Sequence, residues 1–191
     1  MTLARAIQEA AVFVCYVAEP EISVHERLTR IAATWLQDAD YLAKAAPAWH
    51  PGRASAQQER QFRIDELTRA GFTLNRPTAP TTVGLDGASA SVNLNVTERA
   101  KLLMQPDAPE PYRLASGAVH ARPWFLSGNA IEQDGGWSTS WATVVSAVVI
   151  AAGAVRGGVH SLCGYLGLGD GQARCDEIEA RLRSFLKTPA N

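Results

Sequence analysis

Three side chains near the middle of the sequence, Arg113, Ser116 and His120, have the types and the spacing of a small polar site. In a helix of 3.6 residues per turn they fall at i, i+3 and i+7, on one stripe about 10 Å long. Arginine offers a fixed cation, serine a hydroxyl, and histidine a group that exchanges a proton near neutral pH. Together they suit an anionic or phosphoryl substrate, and Tyr112 lies near the edge of the same face.

The same three residues also admit a purely structural interpretation. Arg113 would then pair with a carboxylate such as Glu9, while Ser116 and His120 would satisfy buried backbone groups. The two interpretations differ in whether the side chains open into a cleft or are occupied internally.

The motifs of the large enzyme classes are absent from the sequence. It has no phosphate-binding glycine loop of either common kind, no paired-cysteine motif, no helical His-Glu zinc motif and no nucleophile elbow. The other histidines, His25, His50 and His160, are in positions where surface or packing roles are usual. We therefore expect no metal and no cofactor.

Composition and cysteine usage bear on the location of the protein. The 191 residues carry a net charge of −1, which argues against a strongly basic nucleic-acid binder, so any phosphate-binding surface must be local. Cys15, Cys163 and Cys175 are an odd number without metal-ligand spacing, as in reduced intracellular proteins. The apolar stretch from Trp141 to Val155 is too short for a membrane span, which predicts a buried helix in a cytoplasmic protein.

A family resemblance adds to this interpretation. The run Tyr-Arg-Leu-x-Ser-x-x-x-His from Tyr112, the following Pro123-Trp124 and the opening Arg5-x-x-x-Glu9 helix resemble uncharacterised all-helical proteins of actinobacterial type. More distantly, the chain resembles the HEPN (higher eukaryotes and prokaryotes nucleotide-binding) superfamily. Nucleases of that superfamily carry an arginine and a histidine a few residues apart at the base of a helix, usually paired across a homodimer.

The resemblance implies metal-independent RNA cleavage. His120 would then manage the proton of the attacking 2′-hydroxyl or of the leaving oxygen, and Arg113 would stabilise charge that develops on the phosphate. Ser116 would orient the substrate. The resemblance also implies a homodimer.

Two functions of other classes remain open. One is a pocket for a small, mostly apolar molecule, with His120 as acid or base and with tryptophan walls, namely Trp124, Trp137 and Trp141. The other is a noncatalytic dimeric or interaction module that uses the glycine-bearing helix around Gly153 and Gly157 as its contact surface.

The elements that must position these residues are mostly helices. Apolar residues at helical spacing predict helices over 3–18, from Ser23 to Pro47, from the cap Ser55 to Gly71, over 112–122, 138–165 and 172–187, with a short one after Asn95. In the second helix the stripe is formed by apolar residues: Leu28, Ile31, Trp35, Ala39 and Leu42.

The stretch 72–95 interrupts the helical pattern. Asp86-Gly87 is a hairpin-turn dipeptide, and the alternation of apolar and polar residues over 88–95 fits a short hairpin or a surface loop. The sequence therefore predicts an all-α single domain over 1–191, a bundle of about six or seven helices with one irregular insertion.

Overall fold

The computed structural model describes residues 2–45, 52–100, 130–133, 136–139 and 141–187, and most of them are helical. The described helices are α1 (Thr2–Val17), α2 (Val24–Ala45), α3 (Gly52–Arg69), α4 (Val96–Ala100), α5 (Trp141–Leu166) and α6 (Gly169–Lys187). The described strands are β1 (Thr73–Leu74), β2 (Thr82–Leu85), β3 (Ala88–Ser91), β4 (Ala130–Gln133) and β5 (Gly136–Thr139).

The chain forms two compact units. A central unit consists of Glu21–Leu94, and a terminal unit combines Met1–Pro20 with Asn95–Asn191. The central unit holds α2, α3 and an antiparallel sheet in the order β1-β2-β3. The terminal unit holds α1, α4, the β4-β5 hairpin, α5 and α6.

Local capping signals set several helix ends. The hydroxyl of Ser23 accepts the backbone N–H of Glu26 at 3.1 Å, which confirms the predicted start of α2. At the C-terminal end of α3, Gly71 adopts a φ of 89°, and Phe72 N–H donates to the carbonyl of Leu67, as in a Schellman motif.

Other predicted boundaries were wrong by a few residues. Ser55 is not a cap, because α3 already begins at Gly52. The last helix begins at Gly169 rather than at Gln172, and the preceding helix begins at Trp141, because Ser138 belongs to β5. The helix propensities of the residues within one turn of a helix end do not determine at which of them the helix begins.

The predicted hairpin in 72–95 is present and is part of a larger sheet. Asp86 and Gly87 both have positive φ, 47° and 85°, as a two-residue hairpin turn requires, and Leu85 pairs with Ala88 across it. Ala90 and Val92 are buried while Ser89 and Ser91 are exposed, which confirms the alternation. The two-residue strand β1 and the separate β4-β5 hairpin were not predicted.

The core of the central unit lies between the two helices and the sheet. It consists of Ala32, Ala33, Leu36, Ile64, Leu67, Val83, Ala90 and Val92, with Phe72 and Leu74 packed against it. Leu36 and Val83 are fully buried. This packing orients α2, because Ala32, Ala33 and Leu36 are the residues that it contributes to this core.

In the terminal unit, α5 packs on α1 and α6 through small residues. A Cβ placed on Gly158 would lie 3.5 Å from the Cβ of Ala11, so α1 and α5 approach closely there. This close approach compensates for the low helix propensity of glycine in the long helix. Cys15 Sγ also lies 3.3 Å from the carbonyl oxygen of Gly157, so the glycine-bearing face of α5 contacts α1.

Candidate functional site

The residues predicted to form the polar site lie outside the described residues. These are Tyr112, Arg113, Ser116, His120 and Trp124, all within 101–129. Their grouping on one helical stripe therefore stays a prediction from the sequence. Of the other two tryptophans proposed as pocket walls, Trp137 lies in β5 and Trp141 begins α5, so the backbone places them on successive elements.

The carboxylate that the structural interpretation assigned to Arg113 has a partner in its own helix. Arg5 Nε donates to Glu9 Oε1 at 2.8 Å, one turn apart on α1. This pair stabilises the first helix as an i, i+4 ion pair does.

Among the described histidines, His25 lies 3.4 Å from Asp86 in the central unit, and both side chains are exposed. It joins the start of α2 to the hairpin turn. His50 lies outside the described residues.

His160 belongs to a polar cluster between α5 and α6. Its Nε2 lies 3.1 Å from Asp176 Oδ1, and Arg156 Nη2 donates to the same oxygen at 2.9 Å. The hydrogen bond from Arg156 and that from His160 lower the pKa of Asp176 against a smaller opposing effect of desolvation. Gln172 Nε2 lies 3.5 Å from the backbone carbonyl of His160 on the same side.

A carboxylate that shares one oxygen between an arginine and a histidine can orient the imidazole, which is the role it has in proton-transfer sites. Here Asp176 and Arg156 are about half exposed, and the cluster lies on the flank of the helix pair. The arrangement connects α5 to α6, and we assign it a structural role.

The turn between α5 and α6 borders an open depression of about 560 Å³. It is lined by Gly167, Leu168, Gly169, Asp170, Gly171 and Arg174. One carboxylate opposes one guanidinium in this lining, so the depression has no clear preference for an anion or a cation.

Cys15 is buried between α1 and α5. Ser161 Oγ donates to its sulfur at 3.1 Å, and burial raises the pKa of the thiol more than this hydrogen bond lowers it. A thiol held protonated is a poor nucleophile and a poor metal ligand. Within the part of the chain that the structure describes, no group of three or more His, Cys, Asp or Glu side chains has the arrangement of a metal site.

The outward face of α2 is the largest difference from the sequence-based expectation. We call it the α2 outer stripe; its apolar members are between 37 and 71% exposed and are Val24, Leu28, Ile31, Trp35 and Leu42. The large residues of the predicted stripe do share one face of α2, but that face is exposed. Of the predicted stripe only Ala39 is buried. Ala32, Ala33 and Leu36 face the core in their place.

The α2 outer stripe has a polar rim. Arg63 Nη1 donates to the backbone carbonyl of Trp35 at 2.6 Å, and its guanidinium carbon lies 5.1 Å from the centre of the Trp35 ring. Arg63 also pairs with Asp38 at 3.1 Å and with Glu59 at 2.7 Å. Cation–π stacking and three polar contacts therefore fix the guanidinium beside the indole.

A second apolar surface, the α5 outer stripe, is aliphatic throughout. Its members are between 41 and 54% exposed and are Val144, Val148, Val155, Leu162 and Leu166. The prediction that α5 is a buried helix was wrong for this face. By length and composition, 143–166 is apolar enough to cross a membrane, and 22% of an 18-residue stretch within it is buried. Core helices of soluble proteins also meet these criteria of length and composition.

Comparison with known protein families, with curated proteins and with solved structures gives no match. The assignment of function therefore depends on the residues themselves. The α2 outer stripe was readable in part from the sequence, because Ala32, Ala33 and Ala39 leave room for close packing on the side of α2 away from the large residues.

Proposed function

We propose that the chain is a cytoplasmic, HEPN-like helical bundle that acts on a phosphate-bearing or other anionic ligand through Arg113, Ser116 and His120. The observation on which this depends is the placement of these three residues at i, i+3 and i+7, in a run that resembles the motif of HEPN nucleases. The predominantly helical character of the described residues is consistent with that fold.

The chemistry that these residues suit is metal-independent cleavage of RNA. His120 accepts the proton of a ribose 2′-hydroxyl as its oxygen attacks phosphorus, or protonates the 5′-oxygen that leaves. Arg113 holds two phosphate oxygens with its planar guanidinium as negative charge develops. Ser116 orients the phosphate, and Tyr112 and Trp124 offer rings on which bases stack.

The test uses labelled single-stranded RNA in the presence of EDTA. We expect His120→Ala to abolish cleavage with little change in melting temperature, and Arg113→Lys to fail as well, because an ammonium lacks the two-pronged donor geometry. His25→Ala is the matched control, since His25 is exposed and pairs only with Asp86 among the described contacts.

Two results would contradict the proposal. One is cleavage by the His120→Ala variant at the rate of the unaltered protein. The other is a large fall in melting temperature in both variants with unchanged specific activity of the folded fraction, which would favour the structural interpretation of Arg113 and His120.

The second candidate function, a noncatalytic dimeric interaction module, is favoured by a specific observation. Two helices, α2 and α5, each expose a continuous apolar stripe, and contiguous exposed patches are typical of interaction sites. Absence of salt-sensitive RNA binding together with a dimeric mass would favour this function over the first.

A further inference from the structure

We propose that the α2 outer stripe is the contact surface for a second copy of this chain, with the two α2 helices antiparallel across a two-fold axis. This inference is independent of any chemistry at Arg113 and His120. It moves the predicted dimer contact away from Gly153 and Gly157, because the carbonyl of Gly157 and the adjoining Gly158 contact α1 in the same chain.

The length and exposure of the stripe fit a helix-to-helix contact. From Val24 to Leu42 it extends about 27 Å along α2, at 1.5 Å per residue. Scattered exposed apolar residues are ordinary, but here they recur at spacings of three, four and seven on one side of the helix. A stripe of this spacing is buried when a second helix packs along it.

Four of the five apolar members of the stripe have an apolar counterpart across a two-fold axis, and the fifth, Leu28, lies opposite Asp38 of the partner subunit. Val24 and Leu42 lie nine residues on either side of position 33, and Ile31 and Trp35 lie two residues on either side. Across a two-fold axis at that level, Ile31 faces Trp35 of the partner subunit and Val24 faces Leu42 of the partner subunit. A two-fold contact requires this correspondence of each residue with its counterpart.

Charge along one edge of the stripe selects the antiparallel direction. Arg27 and Asp38 are eleven residues apart, about three turns, and so lie on the same side of α2. In the antiparallel arrangement, this edge of one helix contacts the same edge of the other, and the residues of the two edges run in opposite directions. Arg27 then lies beside Asp38 of the partner subunit, whereas a parallel arrangement does not bring the two charges together.

The centre of the stripe has the features of an interface anchor. Tryptophan and arginine dominate the residues whose truncation costs most binding energy, and such residues lie near the centre of an interface. Arg63 donates to the backbone carbonyl of Trp35, and its guanidinium stacks on the Trp35 ring. Little conformational freedom remains for this side chain to lose on binding, which favours association.

The first experiment measures the mass of the full chain by analytical ultracentrifugation from low to high micromolar concentration. We expect a monomer–dimer equilibrium that Ile31→Asp weakens by about 30-fold or more, because it places a charge against the anchor residue Trp35 of the partner subunit. The matched control is Val148→Asp on the α5 outer stripe, which should leave the equilibrium unchanged because Val148 has a similar exposure.

A second experiment tests the direction of packing without a charge in the stripe. Val24→Cys and Leu42→Cys are prepared separately with Cys175→Ser, since Cys15 and Cys163 are buried, and are treated with a short bis-maleimide. We expect cross-linked dimers when the two proteins are mixed and few when either is treated alone.

Three results would overturn the proposal: a monomer at all concentrations, a dimer that Ile31→Asp leaves intact, or a dimer that Val148→Asp disrupts. Cross-linking of each single-cysteine protein with itself would overturn the antiparallel arrangement. RNA cleavage enters none of these measurements, so the proposed function and the proposed interface succeed or fail separately.

Discussion

In the central unit, α2 places the fully buried Leu36 against a sheet whose Val83 is equally buried. In the terminal unit, α5 brings Gly158 against Ala11 of α1, and Gly171 of α6 lies against the side chain of Cys163. The contact in the central unit is made by large side chains, whereas the close approaches in the terminal unit depend on the absence of side-chain atoms. The two units should therefore respond oppositely to substitution, one to the removal of atoms and the other to their addition.

The outward faces differ as well. The α2 outer stripe has Trp35 with a charged rim of Arg63 and Asp38. The α5 outer stripe consists of aliphatic side chains, with the exposed Tyr165 beside it on α5. Burial of apolar area is non-directional, while aromatic stacking and charge placement select one partner and one geometry. This difference is why α2 rather than α5 is assigned the self-contact.

The largest expected effect is in the central unit. Leu36→Ala should lower the free energy of unfolding by about 2 to 5 kcal/mol, because it removes transfer energy and leaves a cavity in a packed core. Leu162→Ala on the α5 outer stripe should cost at most about 1 kcal/mol, since that side chain is 42% exposed. Urea denaturation of both variants measures the difference; equal costs would contradict the assignment of inward and outward faces.

The next effect tests the terminal unit by adding one methyl group. Gly171→Ala should destabilise it by about 1 to 2 kcal/mol, because the new Cβ overlaps the sulfur of the buried Cys163 and overpacking exceeds the gain in helix propensity. Gly169→Ala, two residues earlier with open space around the added methyl, is the control.

The double variant Gly171→Ala with Cys163→Ala makes that test specific. Removing the sulfur gives the methyl group room, so the cost of Gly171→Ala should fall in this background, as a thermal double-mutant cycle would record. Strict additivity of the two substitutions would contradict the close approach of α5 and α6.

A smaller effect tests a feature that was readable from the sequence. Gly87→Ala should lower stability by about 1 kcal/mol, because Gly87 has a φ of 85° that an L side chain disfavours. Asp86→Asn is the matched control, since asparagine tolerates the left-handed region equally well. The cost should appear in urea denaturation of the central unit; a neutral Gly87→Ala would mean that the turn adopts another geometry.

The sequence predicted the features that depend on a few neighbouring residues. The Asp86-Gly87 turn, the Ser23 cap and the Gly71 cap each fix a backbone conformation locally. The face of α2 was predicted wrongly, because a helical stripe of large residues does not reveal whether its partner is in the same chain. Ala32 and Ala33 lie in the core beside Leu36, and their small side chains allow the helix to approach its neighbours closely.

The candidate site divides in the same way. The stripe of Arg113, Ser116 and His120 follows from helical spacing alone and remains a prediction. The α2 outer stripe required the fold, because its exposure results from the packing of α2 on the sheet formed by residues 73–91.

The smallest expected effect concerns the ion pair at the edge of the small-residue contact between α5 and α6. The hydrogen bond from Arg156, with that from His160, lowers the pKa of Asp176 below its value in the unfolded chain. Such a carboxylate contributes stability at neutral pH, above its unfolded pKa of about 3.9, and that contribution disappears as the pH falls through the lower folded value. Asp176→Asn should therefore lower the melting temperature slightly at pH 7, and the difference from the unaltered chain should be smaller at pH 3. Glu177→Gln is the control, because Glu177 pairs with Arg181 within α6 and, among the residues that the structure describes, with no second helix. A melting-temperature difference for Asp176→Asn that is the same at both pH values would show that the side chain acts through packing or hydrogen bonding that the proton does not alter, and the charged connection between the two helices would have to be abandoned.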